Sequence, residues 1–112
     1  MKKFTIIAAL AITIFSLTAQ AEETKVADYE ITIKNHVFTP AELKVKANTA
    51  FTINVKNEDA TAEEFESHNL HVEKVIAGGK SAIVRVHPLK TGTYKFFGEF
   101  NEKTAQGKII AE

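Results

Sequence analysis

The chain has 112 residues, 45% hydrophobic and 25% charged, with a formal net charge of +0 and no cysteine. That length suits one domain, and the apolar content argues against a disordered chain. Without cysteine there is no disulfide framework, thiolate zinc site, iron–sulfur cluster or thiol nucleophile.

Lys2 and Lys3 form a basic start, and Phe4 to Leu17 make an apolar run broken only by Thr and Ser. Ala19-Gln20-Ala21 is a small-x-small cleavage site, followed by Glu22 and Glu23. The pattern predicts a secretory signal peptide over 1–21, cut after Ala21, and hence export. The apolar run is too short for a membrane span, so no insertion is expected after cleavage. Loss of Lys2 and Lys3 leaves a slight acidic excess. The remaining bases are scattered from Lys25 to Lys108, which gives no footprint for nucleic acid or anionic lipid.

Residues 22–27 form a short polar lead-in to a domain over 28–112. Tyr29, Ile31 and Ile33 alternate with Glu30, Thr32 and Lys34, the pattern of a half-buried strand. Phe38-Thr39-Pro40 reads as a turn, Leu43 and Val45 mark a second strand, and Phe51, Ile53 and Val55 a third. Residues 57–66 are polar and acidic, with room for one helical turn. Leu70 to Ile76 reads as extended, Gly78-Gly79 as a hairpin turn, and Ala82, Val84 and Val86 as strand. Tyr94, Phe96, Gly98 and Phe100 form the face of another strand, and Lys108-Ile109-Ile110 closes the domain. About seven short strands with no helical period predict an all-β Greek-key antiparallel sandwich. Leu89-x-x-Gly92-x-Tyr94 has the form of a tyrosine corner, the alternative being an ordinary type II turn.

No hydrolytic constellation stands out. Ser67 and His68 are neighbours that point to opposite faces of a strand, and Gly78-Gly79 is no phosphate loop. His71 and His87 read as surface or capping residues. Glu64-x-Glu66-x-His68 is different, because an extended chain puts all three on one face. Carboxylates with an imidazole suit iron, Cu(II) or manganese better than Cu(I). A solvated acidic loop is the plain alternative.

Phe38-x-Pro40-x-Glu42-Leu43-x-Val45-x-Ala47, Phe51 through Asn57-x-Asp59, and Gly92-x-Tyr94-x-Phe96-Phe97-Gly98-Glu99-Phe100 together resemble the cupredoxin family over 28–112. Glu63-Glu64-Phe65-Glu66-Ser67-His68 and Thr104-Ala105-Gln106-Gly107 look like periplasmic members that accompany bacterial iron permeases and related metal-uptake systems. The resemblance implies a metal site at one end of the sandwich, near the last two strands. Of the blue-copper ligands, His68 can fill the first histidine role. The cysteine position falls on Gly98, the second histidine on Asn101, and no Met follows, although Gln106 lies at a plausible axial place. A blue copper centre needs the thiolate, so none is expected here.

The resemblance implies instead an oxygen- and nitrogen-rich site for iron or copper, built from Glu66, His68 and Glu99, with His36 or Glu64 completing it. Asn101 stands where related sequences often carry His, and can offer a carbonyl oxygen or orient a ligand. The expected role is a periplasmic iron- or Cu(II)-binding protein serving a membrane permease or another periplasmic component. The alternatives are a metal-free interaction module docking to a transporter component and, ranked last, a ferroxidase. A binding protein is favoured over an enzyme, since one mononuclear site without Cys has no evident electron acceptor.

Overall fold

Strict alternation of apolar and polar side chains becomes strand throughout the computed structural model, which describes residues 26–112. The expected leader over 1–21 and most of the polar lead-in lie outside the described residues. The strands are β1 (Tyr29–Lys34), β2 (Val37–Thr39), β3 (Glu42–Val45), β4 (Phe51–Asn57), β5 (Glu63–Ser67), β6 (Val72–Ile76), β7 (Ser81–Val86), β8 (Gly92–Phe97) and β9 (Gln106–Ala111). A single 3-10 turn, Glu99–Asn101, separates β8 from β9. Among the described residues no helix is long and apolar enough to cross a membrane.

One sheet has the order β2-β1-β4-β7 and the other β3-β9-β8-β5-β6. The all-β sandwich is as expected, but the sheets are mixed, since β1 runs parallel to β4 and β3 parallel to β9. Parallel neighbours cannot be joined by a hairpin, so the chain leaves the first sheet as β3 before returning as β4. β4 shows the sandwich pattern most fully: Phe51, Ile53, Val55 and Asn57 are buried and the residues between them half-buried. Tyr94 Oη donates to the carbonyl of Lys90 at 2.7 Å, which makes the Leu89–Tyr94 segment a tyrosine corner.

The core closes on Phe38, Phe65 and Phe96, with ring centroids 5.9, 5.1 and 4.8 Å apart. Each fully buried Phe contributes about 2 kcal/mol by area removed from water. The trio floors the loop after β8, because a Cβ on Gly98 would lie 3.7 Å from Phe38 Cζ.

The structure corrects three local expectations. Phe38-Thr39 is strand rather than turn, because Asn35 and His36 both take positive φ (52° and 61°) and fold β2 straight back on β1. That two-residue turn is of type I′, whose twist matches the strands it joins. The acidic stretch holds no helical turn and becomes β5, whose Phe65 is completely buried. Phe100 leaves the strand face expected for it, since β8 ends at Phe97 and Phe100 sits 51% exposed on the 3-10 turn.

Candidate metal centre

Strand β5 opens with two glutamates that point opposite ways. Alternation sends Glu63 inward with Phe65, and Glu64 to the outer face with Glu66. Both are nonetheless buried, at 0% and 2% exposure. Each glutamate anchors a separate cluster of polar side chains.

The outer cluster follows from register. Glu66 pairs directly with Glu73 across β5–β6 and with Phe97 across β5–β8. The 3-10 turn then lays Glu99 over the strand, and the Glu99 N–H donates to Glu64 Oε1 at 3.2 Å. One carboxylate oxygen from each of Glu64, Glu66, Glu73 and Glu99 lies within 4.8 Å of the others. His68, the first residue after β5, brings Nε2 to 3.6 Å from Glu66 Oε2, and its ring centroid is 5.2 Å from that of Phe97. Among the described residues the only lysine–carboxylate ion pair is Lys108–Glu42, so no lysine or arginine is ion-paired with the cluster.

Such an arrangement costs free energy when no cation is present. Like charges directly opposite in an antiparallel ladder destabilise it. Burial pushes the Glu64 carboxyl up from 4.5 to about 7, helped by its hydrogen bond to Glu66 and by the charges of Glu66 and Glu99, while the Glu99 N–H pulls the other way. A cation with oxygen preference, bound among these carboxylates, would remove the repulsion.

The inner cluster is built on the Asn35–His36 turn. His36 Nδ1 lies 2.8 Å from Glu63 Oε2 and 3.6 Å from Asp59 Oδ2. Asp59 in turn accepts the backbone N–H of Asn35 and of His36, at 2.6 and 3.1 Å. The other Glu63 oxygen accepts from Asn101 Nδ2 at 2.7 Å. Asn57 fixes Asp59 from below: its Nδ2 donates to the carbonyls of Thr61 and Ile76, and its Oδ1 accepts the Asp59 N–H. The hydrogen bond to Glu63 raises the His36 pKa, with the charges of Glu63 and Asp59 adding to it against partial desolvation. Asp59 is held below the usual carboxylate range by its contact with Glu63 first, then by the N–H groups of His36 and Asn35, against partial burial.

The structure thus distributes the expected site residues over two clusters. Glu66 and Glu99 come together with Glu64, and His68 lies beside Glu66. His36 and Asn101 belong to the inner cluster with Glu63. Glu73, Asp59 and Glu63 were not among the sequence candidates. Glu73 is reachable by pairing, because a tight hairpin joining Ser67 to Val72 puts Glu73 opposite Glu66. Glu63 follows from its two-residue spacing to Phe65. No local signal marks Asp59, which arrives through the fold of Asn57.

The thiolate position fits no ligand here. A Cβ on Gly98 would stand 2.9 Å from the Glu64 carbonyl oxygen and 3.0 Å from Ala105 Cβ. Backbone fills the space that a cysteine side chain would need, so the donor set and the local packing both disagree with a blue copper centre.

Comparison with known proteins gives the same fold. Residues 5–111 match the family model described as a cupredoxin-like domain. An uncharacterised protein of Rickettsia prowazekii (strain Madrid E) is 44% identical over 85 residues, covering 76% of this chain and 68% of its own length. Among solved structures, the metal-binding domain of the Cu(I)-exporting P-type ATPase CopA of Streptococcus pneumoniae superposes with a TM-score of 0.66 at 14% identity, over 74% of this chain and 82% of that one. Auracyanin A, a "blue" copper protein from Chloroflexus aurantiacus, gives 0.64 at 19% identity, over 74% and 96%.

Proposed function

The chain belongs to the cupredoxin-like family, and from that premise we propose that it is an exported, periplasmic metal-binding protein that holds iron or Cu(II) without a blue-copper site. Glu64, Glu66, Glu73 and Glu99 supply oxygen ligands, and His68 one nitrogen at the rim. The cation is passed to a membrane metal permease or another periplasmic component. The observation that carries this reading is the meeting of four carboxylates within 4.8 Å, with no lysine or arginine ion-paired to any of the four among the described residues. Oxygen donors with one imidazole select hard-to-borderline cations over Cu(I). The leader over 1–21 supports export, and the solved copper-binding neighbours support a metal role for the fold.

The test is calorimetric titration of the metal-free protein with Fe(II), Fe(III), Cu(II) and Zn(II). The Glu66→Ala, His68→Ala double variant should bind the preferred cation at least tenfold more weakly. Equal binding by the two proteins would sink the proposal. A variant that loses the cation yet still captures its membrane partner would favour a docking module instead.

A further inference from the structure

A groove of about 550 Å³ opens near the β3 edge of the larger sheet, and none of its lining residues belongs to either carboxylate cluster. It follows from unequal strand lengths. β3 pairs only with Lys108–Ala111 of β9, so Gln106 and Gly107 run on with no strand beside them on that side. Gly107 has no side chain, and a Cβ there would strike the Phe96 ring and the Ala41 carbonyl. Phe96 thus closes the groove from below, and the half-buried Phe97 walls it. We propose that this groove binds a small organic monocarboxylate with an apolar body, its carboxylate seated between Lys95 and Lys108. The proposal goes beyond the metal role and does not depend on it.

Charge places the carboxylate. Lys95 stands directly opposite Lys108 in the β8–β9 ladder, and Glu42 lies beside Lys108 in the β3–β9 ladder. Like charges directly opposite, with Cβ atoms ~5 Å apart, destabilise an antiparallel pair. Glu42 offsets little of this, because its Oε2 is 3.8 Å from Lys108 Nζ and both side chains are about half exposed. Lys95 has no carboxylate partner among the described residues. A ligand carboxylate between the two ammonium groups replaces their repulsion with charge-assisted hydrogen bonds.

The rest of the groove sets the body. Phe97 lies two residues along β8 from Lys95, ~7 Å on and on the same face, and offers an aromatic wall. Gln106, paired with Phe97, donates Nε2 to the Glu102 carbonyl at 2.9 Å, which holds Glu102 at the end away from the lysines. Glu102 also lines the groove and has no lysine or arginine partner among the described residues. A second anionic group at that end would meet its charge, so the ligand carries one carboxylate and a neutral far end. The volume suits a compact organic molecule.

The probe is 3-phenylpropionate, titrated into the metal-free protein at pH 7 and followed by amide NMR. The Lys95, Phe97, Gly107 and Lys108 amides should shift together and saturate. The uncharged 3-phenylpropanol should bind at least tenfold more weakly, and Lys95→Gln should weaken the acid at least fivefold with the rest of its spectrum unmoved. The diacid 3-(4-carboxyphenyl)propionate should bind at least fivefold more weakly than the monoacid, and Glu102→Gln should erase that difference. Equal binding of acid and alcohol, unaltered affinity in Lys95→Gln, or unsaturable shifts spread over lysines outside the groove would overturn the proposal. So would an absence of any shift at these four amides.

Discussion

Replacing Glu64 with Gln should make the metal-free protein more stable at pH 8, and much less so at pH 5. Glu64 is 2% exposed, and burial beside Glu66 and Glu99 raises its carboxyl from 4.5 to about 7. A carboxyl raised on folding binds its proton more tightly in the folded state. Its stabilising contribution is fully present below pH 4.5, declines as the pH rises, and is gone above about 7. Each tenfold change in proton affinity is worth ~1.4 kcal/mol, so the loss between pH 4 and pH 8 is roughly 3 kcal/mol. That is a large share of the ~5–15 kcal/mol by which domains are stable. Gln accepts the Glu99 N–H as Glu64 does but carries no charge, so the Glu64→Gln variant should lose most of this slope. A residual slope of the same sign remains, because the His36 pKa is also raised and its contribution fades as the pH climbs through it. Asp59, held low, acts only in acid: its contribution is present above its ordinary value of 3.8 and is lost below it. The assay is urea unfolding in chelator-treated buffer at pH 5, 6, 7 and 8, with saturating Zn(II) added in a parallel series. Zn(II) should restore stability to the unaltered protein at pH 8, since a bound ion stabilises only the folded state. Equal slopes in the two proteins, or greater stability of the unaltered protein at pH 8 than at pH 5, would refute the reasoning.

Three further outcomes follow from the same geometry. Asn57→Ala removes two donated hydrogen bonds and one accepted one around the Asp59 loop. It should cost about 2–4 kcal/mol in urea unfolding, because the buried carbonyls lose their partners. Gly98→Cys should neither fold as well as the parent nor turn blue with Cu(II). Its Cβ meets the Glu64 carbonyl at 2.9 Å, and overpacking of that kind costs ~1–3 kcal/mol in thermal melts. Tyr94→Phe deletes the 2.7 Å bond to the Lys90 carbonyl, and unfolding should show a loss of about 1 kcal/mol.

Much of the sandwich was legible, because period-two alternation leaves few other structures for Tyr29–Ile33, Phe51–Val55 or Ala82–Val86. The acidic strand was not. Charge density over residues 57–66 argued for solvated loop, yet Phe65 needs the core and carries Glu63 and Glu64 underground with it. Their burial is tolerable only because His36, Asn101 and the Glu99 N–H reach them from distant segments, and no local pattern announces those partners. Glu66 and Glu99 stood out as candidates, Glu66 from its motif and Glu99 from the family resemblance. Their grouping with Glu73, and the separation of His36 from them, depended on strand register and on a positive-φ turn. Both are properties of the pairing rather than of any short run of residues.

The Glu99–Asn101 turn reaches the outer cluster with its first residue and the inner cluster with its last, with only Phe100 between them. Such a loop can drift in composition but not in length. Inserting or deleting a single residue between Gly98 and Asn101 would rotate an amide to where a carboxylate belongs and disturb both clusters together. Homologues that keep either cluster should therefore vary freely at the exposed Phe100 while holding the spacing around it constant.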